Sequence, residues 1–240
     1  MGYRETPATG PLRDLVETAW TSDGSDGDVR VLPDGCMDLL LMHGQVMVAG
    51  PDTGPVISRA DVNAVTGLRF RPGVLPRLLG VPAHELRNLR APLDQVCRAP
   101  RTDDLADVAL DLAARPARSQ TAPWSLDATH HVTARLASGL PVSVVADEVG
   151  WSGRTVHRQC LAVYGYGPAT LRRVLRFRRA VRLARSGIPT AHVAAEAGYA
   201  DQSHLHRDVR EFSGVTLRAL THDSGENRST DVPPGSTTVA

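Results

Sequence analysis

The sequence predicts an α+β N-terminal domain, with a small β-rich core and short helices, followed by an all-α domain of two helix-turn-helix units joined by a long helix. Three observations support this fold class. The first half has short apolar runs between turn residues, and the second half has both helical periodicity and an internal repeat. The predicted divisions are a domain at 1–114, a linker at 115–124, a second domain at 125–222 and a disordered tail at 223–240.

Composition excludes several classes of protein. The chain has 240 residues, 42% hydrophobic and 22% charged, which is typical of a folded domain. No apolar run approaches the roughly 18–20 residues that span a bilayer, and the N-terminus lacks an apolar signal segment. Cys36, Cys97 and Cys160 are too far apart for a disulfide framework or a CxxC zinc site. We therefore expect a reduced, cytoplasmic protein with no membrane segment, metal or cofactor.

The net charge of +1 conceals an asymmetry. Residues 1–124 carry 13 arginines against 16 acidic residues, whereas residues 125–222 carry 13 against 7. The chain has no lysine, and nine arginines lie between Glu148 and Glu196, where no acidic residue occurs. Such a basic segment favours a polyanion as the partner, although a solvated helix face is the alternative.

The N-terminal domain is predicted to contain four strands and three helical segments. The strands are short apolar runs that end at turn residues, at 29–32, 36–42, 46–49 and 62–70. The period then changes, and helical segments are expected over Leu75 to Leu79, from Pro82 onward, and over 103–114. The linker sequence RPARSQTAP at 115–123 has two prolines and no apolar period.

The C-terminal domain reads as helices with recognisable start and stop residues. The expected helices begin at Ser125, Pro141, Ser152, Pro168 and Pro189, and glycines at 139, 150, 165 and 187 end the first four.

The C-terminal domain also repeats itself. VVADEVGW at 144–151 matches HVAAEAGY at 192–199 with an offset of 48. After the turn the offset is 49, and the matched pairs are Val156 with Leu205, Arg158 with Arg207, Val163 with Phe212, and Gly165 with Gly214. Each copy is a short helix, a glycine turn and a second helix with a polar face, which is the helix-turn-helix pattern.

A long helix is predicted between the two copies, over 169–185. It has an apolar stripe and a separate basic stripe, and it spans roughly 25 Å. That length could separate two recognition helices by about one turn of DNA, roughly 34 Å. One chain is therefore predicted to read two successive major-groove segments.

Three segments carry a family resemblance: ADEVGWSGRTVHR at 146–158, GYGPATLRRVLRFRRA at 165–180 and AAEAGYADQSHLHRDVREFSGVT at 194–216. With them, residues 125–222 resemble the DNA-binding domain of AraC/XylS-family transcriptional regulators. The resemblance implies a regulator of promoter DNA, expected to be an activator that works with RNA polymerase and not an enzyme. The chain departs from the family at Leu217, where proline is usual, and at Ala200, where a capping serine is common, so Asp201 is expected to cap instead.

The family resemblance, taken with side-chain chemistry, implies which residues contact DNA. Arg154 and Gln202 come early in their helices, where arginine can bind guanine and glutamine can bind adenine. Thr155, Ser203 and His204 are expected as further base contacts. Phosphate contacts are expected from Ser152, Arg158, Arg172, Arg176, Arg179, Arg207 and Arg210. The alternative for Arg158 and Arg207 is structural pairing with Glu148 and Glu196.

LPDGCMDLLL at 32–41 and GLRFRPGVLPRLLGVPAHEL at 67–86 resemble an N-terminal module of some actinobacterial AraC-family regulators. Family members commonly place a sensor or dimerisation module there, which implies a small-molecule effector or a homodimer without specifying either. Asp34, Cys36 and Asp38 alternate along one predicted strand, and Arg69 and Arg71 alternate at the end of another. Together they could line a pocket for a small polar ligand; the alternative for each is a turn residue or a weak surface ion pair.

Two other functions compete with a regulator. In the first, the N-terminal domain is an enzyme with a DNA-targeting tail, and Cys36 is a nucleophile as in alkyl-acceptor repair regulators. Against it, no cysteine cluster, partner histidine motif, phosphate-binding glycine loop or HExxH occurs. In the second, the helical domain docks a protein whose acidic surface meets the arginine stripe.

Overall fold

A computed structural model describes residues 3–22, 29–58 and 64–222. The described chain consists of a β-rich N-terminal part and a helical C-terminal part, so the predicted fold class is confirmed. The tail at 223–240 and the first residues of the strand predicted at 62–70 lie outside the described residues. No helix in the described ranges is long and apolar enough to cross a membrane.

The N-terminal part is built on antiparallel sheet. Its strands are β1 Tyr3–Pro7, β2 Val16–Ser22, β3 Val29–Val31, β4 Met37–Met42, β5 Gln45–Ala49, β6 Val56–Ser58, β7 Val65–Phe70 and β8 Arg90–Pro92. Six of them form one sheet in the order β1-β2-β7-β4-β5-β8, and β3 pairs with β6 in a separate ribbon. All of these pairings are antiparallel.

The sequence analysis does not predict β1 and β2, although β2 lies between β1 and β7. β2 buries Val16 and Thr18 at alternate positions, but its sequence VETAWTS mixes polar and apolar residues on both faces. The strand is stabilised by its two neighbours and not by a continuous apolar run, so its sequence signal is weak.

Short helices cover one part of the sheet. They are α1 Leu75–Leu79, α2 Leu93–Val96 and α3 Leu105–Ala113, with a 3-10 turn at Ala83–Glu85. Asp104 caps α3 by accepting hydrogen bonds from the backbone N–H groups of Ala106 and Asp107 at 2.8 and 3.0 Å. α3 then buries Val108, Leu112 and their neighbours against the sheet, which forms the N-terminal core.

The C-terminal part contains seven helices among the described residues. They are α4 Leu126–Ala137, α5 Val142–Glu148, α6 Gly153–Tyr164, α7 Pro168–Arg185, α8 Thr190–Ala197, α9 Gln202–Ser213 and α10 Leu217–His222. The starts of α4 to α8 and the ends of α4 to α7 agree with the predicted ones to within a few residues. Gly165 and Gly214 end α6 and α9 in the left-handed conformation, with φ of 78° and 72°.

The long helix α7 belongs to the cores of both helical units. Leu171 packs with Val156 and Cys160 of α6, whereas Phe177 packs with α9 and α8. Because one rigid helix supplies both cores, the relative positions of the two units are fixed by α7.

The N-terminal part packs directly on α6 and α7. Leu32 lies in the core of the second helical unit, and a side chain at Gly35 would meet Leu171 at 3.4 Å. The hydroxyl of Tyr166 donates a hydrogen bond to the Asp52 carbonyl at 2.5 Å. This contact surface is continuous with both helical units, a feature that the sequence does not predict.

Candidate nucleic-acid interface

The two predicted recognition helices begin in the same way. The Ser152 hydroxyl accepts a hydrogen bond from the Thr155 N–H at 3.2 Å, and the Asp201 carboxylate accepts one from the His204 N–H at 2.7 Å. Asp201 therefore caps α9, as predicted from Ala200, which stands where the AraC family commonly has a capping serine. Capping leaves the first turn of each helix well formed and exposed, so its side chains can reach a partner.

Three of the five predicted base contacts are exposed at these first turns. Arg154, Gln202 and Ser203 have no side-chain hydrogen bond or ion pair within the described part of the chain. Thr155 is half-buried, and its hydroxyl is 3.0 Å from the Ser152 hydroxyl. His204 is half-buried too: its Nε2 accepts from Arg176 at 3.1 Å, and its ring meets the edge of the Tyr199 ring. These two side chains shape their helices and have less freedom to reach a base.

Arg158, Arg207 and Arg210 are exposed on the same helices. None of them forms a hydrogen bond or ion pair with another described residue. The alternative pairing of Arg158 with Glu148 does not occur, because Glu148 accepts from Arg135 at 2.9 Å and lies 3.2 Å from His131. Ser152 contributes a backbone N–H and a hydroxyl at the start of α6. This set remains available for phosphate.

Arg172 and Arg176, two of the α7 arginines predicted to contact phosphate, are bonded within the protein, and their contact with phosphate stays a prediction. Arg176 pairs with Asp208 at 2.7 Å and lies over the Tyr199 ring at 4.2 Å, with its side chain only 14% exposed. Arg172 is half-buried and donates to the Leu140 carbonyl at 3.3 Å. A guanidinium that neutralises a buried carboxylate cannot be released to DNA without a large cost.

Sequence reasoning missed the reason for this pairing. Asp208 lies on the buried face of α9 between Leu205 and Phe212, and its side chain is 5% exposed. Arg173, which was not assigned a role, binds the same carboxylate at 2.8 Å. The two arginines hold the pKa of Asp208 below its usual value against the opposing effect of burial. The sequence does carry a signal for this pairing, because an aspartate at a buried position of a helix requires a nearby cation.

Arg179 has a different environment. It is exposed, and it lines a cleft between α4 and α7 together with Arg178 and Arg182. No residue of α6 or α9 lines that cleft among the described residues. Arg179 therefore lines a cleft that the first turns of α6 and α9 do not border.

The predicted N-terminal ligand pocket is only partly assembled. Arg69 lies 3.3 Å from Asp34 and 3.9 Å from Asp38, so these three residues do come together. Arg71 follows the end of β7, is exposed, and donates to the Arg13 carbonyl at 3.0 Å. The Cys36 thiol donates to Glu17 at 3.5 Å on the side of the chain that faces α7.

The Arg69 cluster is filled by the protein itself. Glu5 of β1, which sequence reasoning missed, pairs with Arg69 at 2.7 Å, and Trp20 donates to Asp38 at 3.0 Å. The cavity beside Asp34 and Asp38 measures about 30 Å³, enough for one or two waters. Nothing larger fits there without rearrangement.

The carboxylates of Glu5, Asp34 and Asp38 share the one Arg69 guanidinium. Burial raises the pKa of Asp38 to about 7; Arg69 opposes this, but Asp34 adds to it. Burial also raises the pKa of the Cys36 thiol, and Asp34 raises it further. A buried thiol with a raised pKa is a poor nucleophile, so this environment does not support the alkyl-acceptor alternative.

Comparison with known proteins gives two family matches. Residues 130–222 match a family described as a helix-turn-helix domain, and residues 4–92 match a domain of unknown function, DUF6597. No curated protein matches the chain.

Solved structures that match the chain include the C-terminal domain of AraT, a response regulator from Geobacillus stearothermophilus. It is 20% identical, with 45% of this chain and 91% of that one covered and a TM-score of 0.37. ToxT from Vibrio cholerae is 10% identical, with 92% and 98% covered and a TM-score of 0.44.

The helical part is thus a DNA-binding helix-turn-helix domain of the kind found in transcriptional regulators. Residues 130–222 form an AraC-type helix-turn-helix domain, and they follow a DUF6597 domain at 4–92. The resemblance that the sequence motifs predict is confirmed.

Proposed function

We propose that this chain is a sequence-specific transcriptional regulator in which both α6 and α9 enter the major groove. The observation that carries the proposal is the matched exposure of the two helices. Each begins at a side-chain cap, presents a free polar residue in its first turn, Arg154 or Gln202, and presents a free arginine at matched positions, Arg158 or Arg207. Free donors at these places suit base edges and phosphates.

The spacing of the units supports a single chain reading two groove segments. α7 has 18 residues and is about 27 Å long. With the offset of each recognition helix from the ends of α7, that length is compatible with one helical turn of DNA, about 34 Å. Because α7 contributes to both cores, the spacing does not depend on a flexible linker.

In this proposal the bases are read by Arg154, Gln202 and Ser203, with Thr155 and His204 positioned by contacts inside the protein. Phosphates are bound by Ser152, Arg158, Arg207 and Arg210. The DUF6597 domain acts as the regulatory part, because it packs on both units. Activation through RNA polymerase and a homodimer are implied by the family resemblance alone.

The test is selection of short genomic duplexes by the full chain at moderate salt, followed by sequencing and fluorescence anisotropy. We expect a motif with two elements about one helical turn apart, and binding that weakens steeply with salt. A motif with a single element would contradict the use of both helices. Binding without any motif would replace sequence-specific regulation by an architectural role, and no binding at low salt would leave the exposed arginines as a protein-docking surface.

A further inference from the structure

A cleft of about 670 Å³ lies where the N-terminal domain meets the helical domain. Residues of α4 and α7 form most of its lining, and Glu17, Arg71 and Pro72 of the N-terminal domain complete it. The cleft is therefore an interdomain site, distinct from the exposed first turns of α6 and α9.

The charge of this cleft is unbalanced. Four arginines line it, Arg71, Arg178, Arg179 and Arg182, against one carboxylate, Glu17, which is already paired with Arg178. The formal excess is three positive charges. Burial lowers the pKa of Arg182, and repulsion from Arg178 and Arg179 lowers it further. Cations brought this close without matching anions favour an anionic ligand.

Two buried nitrogens in the cleft also lack a partner. The Nε of Arg178 and the Nε2 of His130 are inaccessible to solvent and form no hydrogen bond with any described residue. The Arg178 side chain is only 12% exposed. The unpaired buried Nε–H of Arg178 costs free energy, which an oxygen acceptor reached by a shift of this side chain toward the cleft would recover.

We propose that this cleft binds a compact organic anion with two or more negative charges, a polycarboxylate or a phosphorylated small molecule. The guanidinium fork binds carboxylate and phosphate oxygens in pairs, and three uncompensated guanidiniums call for more than one such group. Leu175, Leu183 and Ala134 form apolar lining between the arginines, which suits a short carbon skeleton. Arg178 lies too deep for the backbone of a duplex that contacts α6 and α9.

A ligand in this cleft would touch both domains at once. Arg71 and Pro72 belong to the N-terminal domain, whereas Arg182 and His130 belong to α7 and α4. Binding would stabilise the docked arrangement of the two domains, since anything that binds only the native arrangement stabilises it. An effect of the ligand on DNA affinity rests on the function proposed above, but binding itself does not.

The test is isothermal titration of the full chain with pyrophosphate, citrate and acetate at one ionic strength. We expect saturable binding of pyrophosphate or citrate with a stoichiometry of one, and affinity for acetate at least tenfold weaker. Arg182→Gln should weaken binding of the preferred anion at least tenfold. Arg218→Gln, an exposed arginine on α10 outside the cleft, should leave it unchanged. Urea unfolding of both variants checks that they fold.

Three outcomes would overturn the proposal. Equal affinity for all three anions would mean an adventitious ion only. Unchanged affinity in Arg182→Gln would place the anion elsewhere. Loss of DNA affinity in Arg182→Gln without any anion binding would make the cleft part of the DNA surface. A chain that binds citrate or pyrophosphate in the cleft but no DNA would instead support this site and contradict the proposed function.

Discussion

Arg30 of the N-terminal ribbon donates a hydrogen bond to the carbonyl of Ser213, the last residue of α9, at 2.9 Å. A weaker equivalent exists at the end of α6, where Arg87 donates to the Gly165 carbonyl at 3.4 Å. Both cations lie at helix C-termini, where they interact favourably with the helix dipole. The N-terminal domain thus holds the C-terminal ends of α6 and α9 while their N-terminal ends stay exposed.

Replacing Arg30 should loosen the second unit. We expect Arg30→Ala to lower the free energy of unfolding by about 1 kcal/mol, because the charged cap at the end of α9 is lost. Urea denaturation measures the change. Arg101→Ala, an exposed arginine outside the domain contacts, is the matched control. Equal midpoints for the two variants would show that the Arg30 contact does not contribute to stability.

Arg176 and Arg158 should separate stability from DNA affinity. Arg176→Ala leaves Asp208 with Arg173 alone and removes the contact with Tyr199, so we expect a loss of about 2 kcal/mol in unfolding free energy. Arg158→Ala should leave stability unchanged and weaken DNA binding about equally for all sequences, reducing the salt slope by about 1. Urea titration and anisotropy across salt concentrations measure both. An Arg176→Ala protein of unchanged stability would restore that residue to the DNA surface.

The sequence predicts those features that depend on contacts between residues close together in the chain. Ser152, Asp201 and Gly165 begin or end helices through contacts within four residues, and the sequence analysis predicts all three. The pairing of Arg176 was not predicted because its partner Asp208 is 32 residues away. β1 and β2 were missed, and Glu5 with them, because the Arg69 cluster spans more than 60 residues of sequence. Long-range pairing has no periodic signal.

Arg154 and Gln202 should each determine the preference for one base pair of the DNA site. We expect Arg154→Ala to relax preference at one base pair in the first element of the site, and Gln202→Ala to do so in the second, at a cost of roughly 1–3 kcal/mol each. Anisotropy on a panel of single-base operator variants measures the preference. A uniform loss of affinity across the panel would reassign either residue to phosphate.

Asp38 should make stability depend on pH. Its pKa is raised from 3.8 to about 7 in the folded protein, so the folded state holds a proton that the unfolded state has released. The free energy of unfolding should therefore fall as pH rises from about 4 to about 7, by up to about 1.4 kcal/mol per pH unit, and then level off.

Asp38→Asn removes this titration and keeps an oxygen that can accept from Trp20. The difference in unfolding free energy between wild type and Asp38→Asn, measured by urea titration from pH 4.5 to 8, should grow in favour of the variant as pH rises. A difference that does not change with pH would mean that Asp38 stays ionised throughout this range.

Alanine substitutions at Gly165 and Gly214 together measure how firmly the N-terminal domain packs against α6. Gly165 ends α6 and Gly214 ends α9 with φ near 75°, so alanine at either position carries the same left-handed strain of about 1–2 kcal/mol. Their surroundings differ: an added Cβ at Gly165 would lie 2.5 Å from the Pro51 ring and 3.3 Å from the Ala83 carbonyl oxygen, whereas at Gly214 the nearest atom is 3.6 Å away.

Only the substitution at Gly165 forces the N-terminal domain away from α6, and overpacking of this kind costs about 1–3 kcal/mol more. Gly165→Ala should therefore destabilise the protein more than Gly214→Ala in urea unfolding. Equal losses would show that the contact of Pro51 and Ala83 with α6 yields easily, and that the N-terminal domain holds the first unit less firmly than its packing indicates.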